Sequence, residues 1–317
     1  MSSVTIDKKQ LQSAKKALNP NRMNTGAVVI LNAIFIIGVL VCILPVLLII
    51  AVSFTSESSI LKYGYRLIPV EFSLNTYKFL LKDPEVVVNA YGVTIFTTLV
   101  ATAGGLINTA LFAYPISRKD FKFQNEVTFF MFFTMLFGGG LVAYYIVMTG
   151  VFGMRDNILA MIVPYCFNAF WVIVMRTFYK NQIPESLIES ARIDGAGEWR
   201  TLLQIVLPLS LPGLATVALF TMLGVWNDWF NCVLFINNND LNNLQTMIYR
   251  ALSSAQMLRD IVAKMGQSID LGTSLADMPN ETFRMALCVI SIGPIIMAYP
   301  FFQKYFIRGL SVGAIKG

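Results

Sequence analysis

Residues 189–212 read ESARIDGAGEWRTLLQIVLPLSLP. In this stretch a charged segment, a glycine-bearing turn and two prolines separate two long apolar runs. Just upstream, Pro184 suits the first helical position, and Glu185 and Glu189 favour the positive N-terminal end of a helix. Gly195 after Asp194 supplies a left-handed stop. From Gly197 the run EWRTLLQIVL forms a second helix with Trp199, Leu202, Leu203 and Val206 on one face, broken by Pro208 and Pro212. The stretch therefore predicts a helix, a turn and a second helix lying at a membrane surface between two crossings.

The rest of the chain makes a membrane the only reasonable setting. Of its 317 residues, 56% are hydrophobic and 13% charged, about half the charge of an average soluble protein. There is no histidine, which removes Ser-His-Asp catalysis and histidine-metal chemistry. Cys42, Cys166, Cys232 and Cys288 each sit in an apolar run without the paired spacing of a zinc or redox site. They read as small buried hydrophobes, and no metal site is expected. The net charge of +6 is not gathered into the single stripe that nucleic acid would require.

Six apolar runs are long enough to span a bilayer as helices, near residues 27–52, 87–113, 127–148, 158–179, 209–235 and 284–306. The first is too long for a signal-peptide core and is read as a retained span. The basic residues of the flanks set the orientation. Lys8, Lys9, Lys15, Lys16 and Arg22 precede the first run; Arg118, Lys119 and Lys122 follow the second. Lys304, Arg308 and Lys316 close the chain, and all fall on the side of Arg176, Lys180, Arg192 and Arg200. That side is expected to be cytoplasmic, with both termini on it. The opposite loops mix bases with acids, as in Lys62, Arg66, Glu71, Lys82, Asp83 and Glu85.

The expected organisation is a tail over residues 1–26, a first span over 27–52 and an extracytoplasmic loop over 53–86. A core of five spans follows over 87–306, with the interrupting segment at 183–207 and a second outer loop at 236–283; a tail over 307–317 ends the chain. Within the second loop Met257, Ile261, Val262 and Met265 recur at helical spacing, so a folded cap and a partly ordered surface loop both stay open. Gly138, Gly139 and Gly140 interrupt the third run as a hinge or a close-packing point, and packing is the commoner use of small residues in membrane helices.

By spacing alone, the helix at 183–207 is either a handle for a soluble partner or an amphipathic helix resting on headgroups. Its residues resemble a known family. Glu189, Ser190 and Ala191, then Gly195, then Ile205, Leu207 and Pro208 resemble the EAA signature of ABC importer permeases, with Ser190 standing where the signature has alanine. Asp194-Gly195-Ala196, the WNDW run at Trp226 to Trp229 and the ending QKYFIRGLSVGAIKG extend the likeness to the maltose-type carbohydrate branch, including its oligosaccharide and polysaccharide permeases.

The resemblance implies an all-α integral membrane protein of six transmembrane helices, with the type I ABC importer permease fold and a cytoplasmic coupling helix. Glu189, Ser190, Ala191, Asp194, Gly195, Ala196 and Pro208 would then contact an ATPase. It also implies a second homologous permease, two ATPase subunits and an extracytoplasmic solute-binding protein in a bacterial inner membrane. No cofactor is implied for this chain; ATP and Mg2+ belong to the ATPase subunits. The chain has no G-x-x-x-x-G-K-[ST] run to cradle nucleotide phosphates. Alternating access driven from those subunits would carry a carbohydrate.

Candidates for the solute path are the polar and aromatic residues within spans: Asn89, Tyr91 and Asn108 in the second, and Trp226, Asn227, Asp228, Trp229 and Asn231 in the fifth. A carboxylate such as Asp228 is costly against lipid and should face the bundle or water. Rings suit sugar faces and amides suit hydroxyls. Equally, tryptophan anchors span ends and asparagine bonds neighbouring helices. A permease for another solute class, such as amino acids, and a membrane-embedded enzyme are the alternatives; the latter lacks a second acid paired with Asp228.

Overall fold

The computed structural model describes residues 25–81, 84–265 and 281–314. Lys8, Lys9, Lys15, Lys16, Arg22, Lys82, Asp83 and Lys316, on which the orientation argument partly rests, lie outside them. The described residues form helices and no strand, with one isolated bridge between Thr55 and Phe72. Three helices are long and apolar enough to cross a membrane, or five if each of two bent pairs counts as one span. The sixth predicted run lies within the helix Glu281–Ala314.

The first helix, α1 (Thr25–Ser53), is apolar on every side and exposed along most of its length, as a helix set in hydrocarbon can be. The segment after it folds into two short helices, α2 (Glu57–Tyr63) and α3 (Asn75–Leu80). At the centre stands α4 (Pro84–Ser117), packed on three later helices: α7 (Leu159–Cys166), α8 (Ala169–Gln182) and α11 (Leu211–Trp226). Its inward residues include Ala101, Gly105, Ala110 and Ala113. Small residues let helix backbones approach where lipid provides no hydrophobic drive between them. A Cβ on Gly105 would lie 2.8 Å from the Tyr165 carbonyl oxygen of α7.

The third run is not straight. Its two pieces, α5 (Gln124–Leu136) and α6 (Gly140–Ile146, extended by a π-turn over Val147–Val151), meet at 110°. Gly140 adopts φ +77, and a Cβ on Gly138 or Gly140 would touch nothing within 4 Å. The triple glycine therefore marks a bend, where the left-handed backbone at Gly140 is the local requirement, and within this chain nothing packs against Gly138 or Gly140.

The fifth run is also divided. A helix that starts at Glu198 runs through α10 (Glu198–Thr201), a π-turn (Leu202–Val206) and a last turn (Leu207–Leu209) before bending 77° at Ser210 into α11. After the turn Asn227–Trp229 comes α12 (Phe230–Phe235). Within 236–283, α13 (Leu244–Met265) is a 22-residue helix, so at least that part is a folded element. Leu244 and Ile248 pack with Trp226 and with Leu287 of α14 (Glu281–Ala314). The side chains of Met257, Ile261, Val262 and Met265 lie outside the described set.

Two details of the opening stretch differ from expectation. Pro184 precedes α9 (Glu185–Ile193) in an extended conformation, φ −60 and ψ 134, rather than occupying its first helical position. The predicted apolar face divides: Leu202 and Val206 are buried, whereas Trp199 is 68% and Leu203 57% exposed. The π-turn over 202–206 changes the rotation per residue, so side chains that an even helical period aligns are aimed apart.

Candidate functional site

The α9 helix and the turn after it form a compact unit. The chain leaves α9 through a Schellman motif: the Ala196 amide donates to the Ala191 carbonyl at 2.9 Å, and that of Gly195 to Arg192 at 3.1 Å. Gly195 adopts φ +76, a conformation that disfavours any side chain. Ala191 is 7% exposed and Ile188 half-buried, and these meet the body of the protein. Ser186, Glu189, Ser190, Ile193 and Asp194 are exposed. Ile193, at 87% the most exposed large hydrophobe of the segment, leaves no mark along the chain, because a single apolar residue at a helix end makes no periodic signal.

Ion pairs tether both ends of α9 to the loop that follows α4. Lys119 meets Glu185 at 2.5 Å, and Arg192 bridges Asp120 at 2.6 Å and Glu198 at 3.0 Å. Arg118 grips Asp120 at 3.0 Å, and the Tyr114 hydroxyl donates to Glu198 at 2.6 Å. Arg118 and then Arg192 hold the Asp120 carboxyl well below the ordinary carboxylate range. The tethers are solvent-exposed, but beneath them Leu202 and Val206 join Tyr114, Ile116, Val172, Met175 and Tyr179 in one apolar cluster. Ile188 of α9 packs against the same cluster, so α9 is in contact with α4, α8 and the helix leading into α11. Sequence reasoning missed Asp120: an acid beside two bases in a loop looks like a solvated turn until its partner from α9 arrives. Pro208 lies past the π-turn, shortly before the bend, and away from the exposed face of α9.

Around the turn after α11 a second polar group assembles. Asp228 is 6% exposed; its carboxylate accepts from the Asn231 amide at 3.0 Å and from the Asn231 side-chain nitrogen at 2.9 Å. The Tyr144 hydroxyl donates to the Asn231 side-chain oxygen at 2.9 Å, and the Asn243 side chain donates to the Asp228 carbonyl. The Trp226 indole donates to the Ser291 carbonyl at 3.2 Å. Asp156, in a loop with φ +51, accepts from the amides of Asn237 and Asn238, and these bonds lower its carboxyl below the usual value. The candidates on α4 bond to other elements rather than to one another: Asn89 to the Asp240 carbonyl, Tyr91 to that of Ile290 and Asn108 to that of Cys166. Asn227 is exposed and donates to Leu223. Trp229, 41% exposed, stacks on Tyr249 with ring centroids 4.6 Å apart. Among the described residues no three metal-ligating side chains are grouped to hold an ion.

Residues 110–312 match the family described as "Binding-protein-dependent transport system inner membrane component". The polygalacturonan/rhamnogalacturonan transport system permease protein YtcP of Bacillus subtilis (strain 168) is 33% identical over 278 residues, spanning 88% of this chain and 94% of its own. Protein LplC of the same organism is 37% identical over 287 residues, 90% of this chain and 94% of its own. Among solved structures, the crystal structure of a bacterial ABC transporter involved in the import of the acidic polysaccharide alginate contains a similar chain. It has a TM-score of 0.74 and 27% identity, covering 90% of this chain and 99% of that one.

Proposed function

Because the chain belongs to the family of binding-protein-dependent transport inner membrane components, we propose that it is the permease subunit of an ATP-driven importer for an oligosaccharide. It is a transport component rather than an enzyme. The similarity to permeases named for pectic polysaccharides and to an alginate importer supports a carbohydrate cargo. In this reading it sits in a bacterial inner membrane with both termini cytoplasmic. It pairs with a second, homologous permease, receives cargo from an extracytoplasmic binding protein, and is driven by two ATPase subunits that use ATP and Mg2+.

One observation carries the mechanism. The outward side of α9, with Glu189 and Ile193, is exposed, while the opposite side is bound through Ala191 and the 118–120 loop to three spans. Ile193 fits an apolar groove on an ATPase subunit and Glu189 sets orientation. Closure of the ATPases on ATP moves α9, and the tethers carry that movement to the spans. Nucleotide drives the transport cycle only through its different affinity for the inward- and outward-open states.

On the solute side, the Trp229–Tyr249 pair and Asn227 are the groups free to meet a sugar ring, whereas Asp228, Asn231, Trp226, Tyr91, Asn89 and Asn108 hold the walls. Glu189→Lys in the reconstituted transporter tests the coupling assignment. Uptake should collapse while the subunits remain inserted and basal ATPase persists. Normal uptake with full stimulation by the loaded binding protein would overturn it.

A further inference from the structure

At the ends of α4 and α8, beside the start of α9, lies a cavity of about 440 Å³, within the usual size of small-ligand sites. Its charged lining is Arg118, Lys119 and Lys180 against one carboxylate, Glu185. Arg118 is held by Asp120 and Lys119 by Glu185, but Lys180 has no carboxylate within salt-bridge distance among the described residues. The inner wall is apolar, with Val206 and Ile188, and includes Tyr179, 3% exposed, whose buried hydroxyl has no hydrogen-bond partner. A buried donor is rarely left without an acceptor, and like charges gathered at a membrane edge are relieved by an anion. An apolar occupant would satisfy neither, and a neutral acceptor would satisfy the hydroxyl but leave the Lys180 charge uncompensated. With Arg118 already paired to Asp120 and Lys119 to Glu185, Lys180 is left as the uncompensated positive charge of the lining, which a phosphate group, negatively charged at neutral pH, would meet.

We infer that this cavity binds a phosphate-bearing anion, with Lys180 and Lys119 supplying the charge and the Tyr179 hydroxyl a buried donor. The anion competes with Glu185 for Lys119. Because Glu185 opens α9, occupancy loosens that end of the helix from the 118–120 loop, and so adjusts how firmly α9 is seated. This consequence for coupling rests on the transport reading; the binding itself does not.

The test is a titration of the purified full-length protein in uncharged detergent, read by native mass spectrometry and by thermal shift. The probes are inorganic phosphate, short-chain phosphatidylglycerol and, as the control for acyl-chain binding, phosphatidylcholine of the same chain length. Phosphatidylglycerol or inorganic phosphate should raise the melting temperature. Lys180→Glu and Lys119→Glu should each weaken that effect about tenfold or more, as loss and reversal of a charge-assisted contact implies. Arg66→Glu in the segment after α1 should leave it unchanged. Binding of phosphatidylglycerol alone assigns a lipid headgroup; binding of inorganic phosphate as well assigns soluble phosphate compounds. If neither probe binds above the phosphatidylcholine control, or if both lysine variants bind within about twofold of the parent, the proposal is wrong. Should Lys180→Glu fail to accumulate, Lys180→Gln reads the same contact without a charge reversal. Transport is not measured in this experiment, so its failure leaves the permease assignment standing.

Discussion

The two polar groups of the molecule are built in opposite ways. At the turn after α11, each oxygen of a nearly buried carboxylate accepts a hydrogen bond from Asn231, and Tyr144 and Asn243 tie the same turn to other elements. Around α9 the charges are exposed and are paired between short segments. In a low-dielectric setting such hydrogen bonds are strengthened, and removing one member leaves the others unsatisfied. Exposed ion pairs contribute little and exchange readily with water. The turn after α11 is therefore held more firmly by its own polar bonds than α9 is by its exposed ion pairs.

The comparison predicts a descending series of effects. Asp228→Ala strips the acceptor from two Asn231 donors in a buried site and should cost about 1–3 kcal/mol, seen as a lower melting temperature and poorer accumulation in the membrane. A variant as stable as the parent would mean that these bonds do not hold the turn. Gly195→Val forces a β-branched residue into a left-handed turn at a cost of about 1–2 kcal/mol. It should spare global stability more than Asp228→Ala does, yet abolish uptake while basal ATPase continues. Trp229→Ala removes one ring of an exposed stack and should raise the transport KM for the cargo with an unchanged melting temperature; a lower melting temperature with unchanged KM would place Trp229 among the groups that hold the turn.

Asp120→Asn should have the smallest effect. Its folded carboxyl lies below the ordinary value, so any stabilisation is fully present above about pH 4, the unfolded value, and fades as pH falls toward the folded value. The difference in melting temperature between parent and variant should be small and constant from about pH 5 to pH 8 and shrink only in stronger acid. A difference that grew on acidification would contradict the pairing with Arg118 and Arg192.

Much of this was legible along the chain, in ways that differ by residue. Gly195 could be read directly, because a glycine after a polar helix end signals a left-handed cap and the backbone supplies it at φ +76. The helix at Glu185–Ile193 could also be read, since proline and charge interrupt an apolar run there. Residues Trp199 and Leu203 could not be placed, because nothing in the sequence announces the π-turn over Leu202–Val206 that departs from an even helical period. Nor could Gly138–Gly140 be assigned to a bend, since small residues serve packing and bending equally. Among the solute-path candidates, the type of Asn108 or Tyr91 says only that it needs a partner, and both found backbone carbonyls across the bundle.

By itself, the sequence determined that this is a helical membrane protein, where its apolar runs lie, and that a charged helix with a glycine stop interrupts them. Those properties follow from the covalent chain in a bilayer, where each span must satisfy its own backbone. Only the tertiary structure decided which polar groups bind one another and which stay free. Partners such as Asp120 with Arg192, or Trp226 with Ser291, are 72 and 65 residues apart. Their meeting is set by how closely small residues let α4, α8 and α11 approach, and by the bends at Gly140 and Ser210 that redirect the helices.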